Sequence, residues 1–138
     1  DYLMMRILAL DHGTVRIGVA ISDEMQMIAQ PVQYVDAQPP EKIVQYIQTE
    51  WDGKLELILI GMPRNMDGSY GPAAEKVKAF VEVLKEKLTT PIRTWDERLT
   101  SAQANRVMIE ADVRREKRKQ KVDSMSAAIL LQSYIDGL

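Results

Sequence analysis

The chain has 138 residues, a formal net charge of −2, no cysteine and one histidine. That length suits a single domain over 1–138 with its own core. The missing cysteines exclude disulfides and thiolate metal sites, and the lone His12 excludes HExxH zinc hydrolases.

The chain opens Asp1-Tyr2-Leu3 ahead of Met4 and Met5; the native start is expected at Met4 or Met5, with whatever of 1–4 precedes it a non-native scar. An apolar run over 5–10 and the alternating Ile17, Val19 and Ile21 of "RIGVAIS" (16–22) predict two strands, and the "HGT" between them predicts a hairpin. A third strand is expected over 27–35, weakened by Pro31. Pro39-Pro40 break the chain, and Ile43, Tyr46, Ile47 and Trp51 then recur at helical spacing over 41–51, with Pro40 suited to the first turn. "LELILIG" (55–61) is continuously apolar, the pattern of a strand buried on both faces. After the turn-rich "MPRNMDGSYGP", a stripe of Val77, Phe80, Val81, Leu84 and Leu88 predicts a helix over 73–88. Pro91 precedes a short strand, 92–95. Thr100 and Gln103 form a capping box for a helix with Ala104, Val107, Met108 and Ala111 on its apolar face. A basic segment, "RREKRKQK" (114–121), leads into a last helix over 121–136. The order β-β-β-α-β-α-β-α-α predicts an α/β protein, a mixed five-stranded sheet with helices on its faces.

With so little histidine, carboxylates are the available chemistry. Asp11 ends the first apolar strand, where it either caps the Gly13-Thr14 turn or binds a ligand. Glu97 follows the last strand in "TWDERLT"; helix N-terminal chemistry explains it equally, with Asp96 an alternative and Arg98 a partner for either. Asp123 opens the last helix on the face of Ala127, Leu130 and Tyr134, either as an N-terminal acid neutralised by Lys119 or Lys121 or as an inward-facing group. Together they carry more weight. In an open α/β sheet, sites gather at the carboxyl ends of the strands. Three converging carboxylates form a hard oxygen ligand set for Mg²⁺ or Mn²⁺. Two such metals can activate water and stabilise the leaving oxygen of a phosphodiester. The basic run beside Asp123 can hold a nucleic-acid backbone.

Four segments in order, "LALDHGTVRIGVAISD", "IGMPRNMDGS", "WDERLTSAQA" and "KRKQKVDSMSAAILLQSYID", resemble the YqgF family, also called RuvX, and cover almost the whole chain. The resemblance implies a ribonuclease H-like fold, with Asp11, Glu97 and Asp123 at the family's acidic positions. It implies a metal-dependent endonuclease that matures the 5′ end of 16S rRNA in ribosome biogenesis, on the RNA or on a ribosomal precursor particle. The alternatives are a Holliday-junction resolvase cutting branched DNA and a non-catalytic assembly factor that binds nucleic acid. His12 departs from the apolar or aromatic residue expected there.

The remaining candidates divide between substrate and structure. Arg64, Asn65, Arg98, Arg114, Arg115, Lys117, Arg118, Lys119 and Lys121 are the nucleic-acid-binding set. Asn65, Asp67 and Ser69 either contact substrate or form a tight turn, and Thr14 either orients a water or serves the hairpin. Trp51 and Trp95 belong to the core, Trp95 also lying where it could stack on a base. No apolar run approaches the roughly 20 residues of a membrane helix, and no signal peptide is visible. A cytoplasmic monomer or weak homodimer with no membrane partner is therefore expected. DxGT turns also grip nucleotide phosphates in sugar kinases and actin-like ATPases, but those enclose the nucleotide between two domains.

Overall fold

The structure, a computed structural model, describes residues 5–63, 67, 69–96 and 115–138, and of residues 115–124 the backbone alone. It contains strands β1 (Arg6–His12), β2 (Arg16–Ser22), β3 (Ala29–Asp36), β4 (Leu55–Met62) and β5 (Ile92–Asp96), and helices α1 (Glu41–Glu50), α2 (Pro72–Lys87) and α3 (Arg115–Asp136). The strands form one sheet in the order β3-β2-β1-β4-β5. β2 runs antiparallel to both β1 and β3, while β1, β4 and β5 are parallel. This is the expected α/β architecture, a mixed five-stranded sheet with helices on its faces.

Alternation along the strands divides the interior into two cores. Leu8, Leu10, Val19, Ile21, Ile58 and Ile60 face one way, against Ile43 and Ile47 of α1 and Val77, Phe80, Val81 and Leu84 of α2. Ile7, Ala9, Ala20 and Leu59 face the other way, against Ala127, Ala128, Leu130, Leu131 and Tyr134 of α3. The second interface is rich in alanine on both sides, which lets α3 approach the sheet closely. Because the middles of β1 and β4 are covered on both faces, residues 7–10 and 57–60 are continuously apolar.

Local bonds fix the frame. In the β1–β2 hairpin the Gly13 N–H donates to the Arg16 carbonyl at 2.9 Å. A Cβ on Gly13 would stand 2.6 Å from that oxygen, so the turn requires glycine. α3 is tied to the edge strand by Gln132. Its Oε1 accepts the Ala29 N–H at 2.9 Å and its Nε2 donates to the Met27 carbonyl at 3.1 Å. Pro31 sits in β3, an edge strand, with a register irregularity between Val19 and Ala20 opposite it.

Three expectations change. β1 continues past the apolar run, through Asp11 and His12, which pair with Gly18 and Ile17. β3 starts and ends later than 27–35, at Ala29–Asp36. The last helix begins at Arg115 rather than 121, so most of the basic run is helical. Lys, Arg, Gln and Glu are good helix formers without any apolar period. Asp123 therefore lies eight residues past Arg115, in the helix interior, and not at an N-cap. The helix expected after Thr100, with Gln103, Ala104, Val107, Met108 and Ala111, lies outside the described residues. No helix among the described residues is long and apolar enough to cross a membrane.

Candidate active site at the carboxyl ends of the strands

β1, β4 and β5 are parallel, so their carboxyl ends share one edge of the sheet, where Asp11, Met62 and Asp96 lie. Asp11 is in step with Ile7 and Ala9, which places it on the face covered by α3. It is partly buried. Its partner across β2 is Gly18. On the other side, β1 and β4 are in register at Leu10 and Ile60, so the next residue on β4, Gly61, flanks Asp11. Directly opposed residues put their side chains on the same face of a sheet. Asp11 thus projects between two positions that carry no side chain, a cradle that a Cβ on either neighbour would narrow. Glycine inside a strand is a mark of close approach by a ligand or another backbone.

Trp95 stands opposite Gly61, on the same row and the same face. It packs edge-on against Tyr134, ring centroids 5.2 Å apart, and its Nε1 donates to Ser133 Oγ at 3.4 Å. Trp95 is therefore core, as expected, and it borders the Asp11 row. Trp51 also packs on the core, its Nε1 donating to Tyr46 Oη at 3.1 Å.

Asp123 belongs to α3, the helix on the Asp11 face; its side chain lies outside the described residues, as do those of Arg115, Lys117, Arg118, Lys119 and Lys121. Glu97, Arg64, Asn65, Arg98 and Arg114 lie outside them entirely. Among the described residues no three acidic, histidine or cysteine side chains converge on a metal-sized site. In the loop after β4, Asp67 Oδ1 accepts from the Ser69 N–H at 2.9 Å and the Ser69 hydroxyl at 2.6 Å. These bonds hold the Asp67 carboxyl below its ordinary pKa, and they give the turn reading of this pair a structural basis.

His12, one residue on, faces away from Asp11. Its ring lies tilted over Phe80 of α2, centroids 4.6 Å apart. Burial pushes the imidazole below its ordinary pKa, and the charge of Lys76 acts in the same direction against a backbone hydrogen bond that raises it. Sequence reasoning named His12 without a role and missed Gly18 and Gly61. The signal for Gly18 was there, a glycine interrupting the alternation of "RIGVAIS".

The sequence profile of the RuvX family, described as Holliday junction resolvase, matches residues 5–137. This chain belongs to the RuvX family. Among its RuvX relatives, a protein of Halothermothrix orenii named "Putative pre-16S rRNA nuclease" is 48% identical over 133 residues, covering 96% of this chain and 95% of its own. A protein of the same name from Desulforamulus reducens is 46% identical over 134 residues, covering 96% and 98%. Among solved structures, T. thermophilus RuvC in complex with a Holliday junction substrate superposes with a TM-score of 0.48 at 15% identity, covering 96% of this chain and 94% of that one.

Proposed function

We propose that this RuvX-family chain is a divalent-metal-dependent endonuclease that hydrolyses phosphodiesters in structured RNA, with precursor 16S rRNA as substrate, alone or in a precursor particle in the cytoplasm. The observation that carries the reading is the setting of Asp11, a partly buried carboxylate at the carboxyl edge of the sheet, between two glycines, on the face shared with α3. The names of the relatives supply the substrate.

The residues fit a hard cation. Asp11 offers carboxylate oxygen between the glycine positions of its two neighbouring strands, and Glu97 and Asp123 would complete an oxygen-only donor set for Mg²⁺ or Mn²⁺. When bound, the ion supplies positive charge to the scissile phosphate and its leaving oxygen. The chain's own contributions are distinct. The flanking glycines leave room for the phosphate beside Asp11. Arg115, Lys117, Arg118, Lys119 and Lys121 on α3, with Arg64, Asn65, Arg98 and Arg114, hold the backbone by charge and hydrogen bonding, fixing position rather than sequence. Water is the nucleophile.

The family description favours one other substrate, a four-way DNA junction. Symmetric cutting of a junction requires a two-fold pair of sites. The purified full chain is incubated with Mg²⁺ and either a 5′-extended 16S precursor fragment or a four-way junction. Cleavage of the RNA is expected. Cleavage of the junction alone would transfer the assignment to a resolvase, and binding of RNA without cleavage of either would make the chain an assembly factor.

A further inference from the structure

A second concavity opens on the opposite face of the sheet from Asp11. It is a cleft of about 320 Å³ between the end of β1, the β3–α1 connection and α2. The half-buried ring of His12, backed by the buried Phe80, forms an aromatic wall, and the small Ala37 and Ala79 leave the space in front of it. Thr14 and Gln38 line it with a hydroxyl and an amide, both exposed. Among the described residues Lys76 is its one cationic lining residue. Unlike Lys78, paired with Glu75, and Lys42, paired with Asp36, Lys76 has no carboxylate partner among the described residues. An aromatic wall, an amide and hydroxyl able to both donate and accept, and an uncommitted ammonium group match the three parts of a nucleotide. The volume is at the small end of ligand sites. It accommodates one base with its sugar rather than a base pair.

The cleft also lies where a substrate strand would pass. Asp11 and His12 are consecutive in β1 and point to opposite faces. A nucleic-acid chain bent over the carboxyl edge of the sheet reaches both. We propose that this cleft binds a single unstacked nucleotide of the strand engaged at Asp11, its base against the His12 ring and a phosphate at Lys76. Aromatic stacking of this kind is tolerant of sequence, so the cleft selects single-stranded character next to the cleavage position rather than a particular base. The assignment builds on the nuclease reading for the identity of the strand but not for the existence of the site.

His12 is the only histidine of the chain, so its ring protons give one resolved NMR reporter inside the cleft. Adenosine 5′-monophosphate, adenosine and inorganic phosphate are titrated separately into the full-length protein. The expected result is a saturable shift of the His12 ring signals with the nucleotide, about tenfold weaker binding of adenosine, and no shift with phosphate alone. Lys76→Ala, an exposed substitution, should reduce nucleotide affinity about tenfold, to the level of adenosine, with the amide spectrum otherwise unchanged. Absence of a shift with the nucleotide, an equal shift with phosphate alone, or unchanged affinity in Lys76→Ala overturns the proposal. Asp11→Asn separates the two readings, since it should leave this titration intact. A protein that binds the nucleotide here yet cuts no RNA overturns the nuclease reading and keeps the cleft. One that cuts RNA without the shift overturns the cleft alone.

Discussion

Ser22, at the end of β2, is fully buried and replaces a rung of the sheet. Its Oγ accepts the Ile7 N–H at 2.8 Å and donates to the Asp23 carbonyl at 3.0 Å. Ser22→Ala strands a buried amide, which costs about 1–3 kcal/mol. Denaturant unfolding should show that loss with cleavage per folded molecule unchanged. The neighbouring Asp23 orders the β2–β3 turn, its Oδ1 accepting the Met27 and Ile28 N–H groups at 2.7 and 2.9 Å. These bonds hold its carboxyl below the ordinary value of 3.8. The folded state therefore favours the ionised form. Its contribution is complete above the unfolded pKa and is lost as pH falls through that value toward the lower folded one. Asp23→Ala should lower Tm at pH 7, and the gap to the parent should narrow below about pH 4. A gap of the same size at pH 3 would contradict the assignment.

Among the elements, the readable ones were those whose burial writes a period into the sequence. "LELILIG" announced a strand covered on both faces, and Ala127, Leu130 and Tyr134 announced the inner face of α3; all three are buried. The unreadable parts lie where pairing and burial separate. β1 extends beyond its apolar run because Asp11 and His12 still pair with β2 after the core has ended. α3 starts at Arg115 because a polar helix beyond the core carries no apolar stripe. The same separation hid the cradle around Asp11, since neither Gly18 nor Gly61 is adjacent to it in sequence and only register brings them alongside. α3 is the element whose loss would disconnect Asp123 from the sheet. Leu130 is fully buried in its interface. Leu130→Ala should cost about 2–5 kcal/mol, a large share of the roughly 5–15 kcal/mol that stabilises a domain. It should also reduce cleavage at temperatures where β-sheet signals persist.

At the scale of the whole molecule, an acidic protein presents a local basic segment, six basic residues and one acidic in 114–121, on or beside a helix packed against the candidate site. Net charge alone says little about partners; its distribution argues for a nucleic acid. Replacing Lys117, Arg118 and Lys121 by Gln should weaken RNA binding for all sequences alike. It should also flatten the dependence of log K on log salt by about 0.7 per lost phosphate contact on single strands. An unchanged slope would show that these side chains do not meet the backbone. The three carboxylates come from distant parts of the chain, so sequence could nominate them only through their places at strand ends and on the last helix. The most direct measurement of the account is cleavage of the 5′-extended 16S precursor fragment by the parent and by Asp11→Asn at equal folded concentration in Mg²⁺. The account predicts a loss of at least about 100-fold, roughly 2.7 kcal/mol in the barrier, with the thermal transition preserved. Full activity in Asp11→Asn would contradict it.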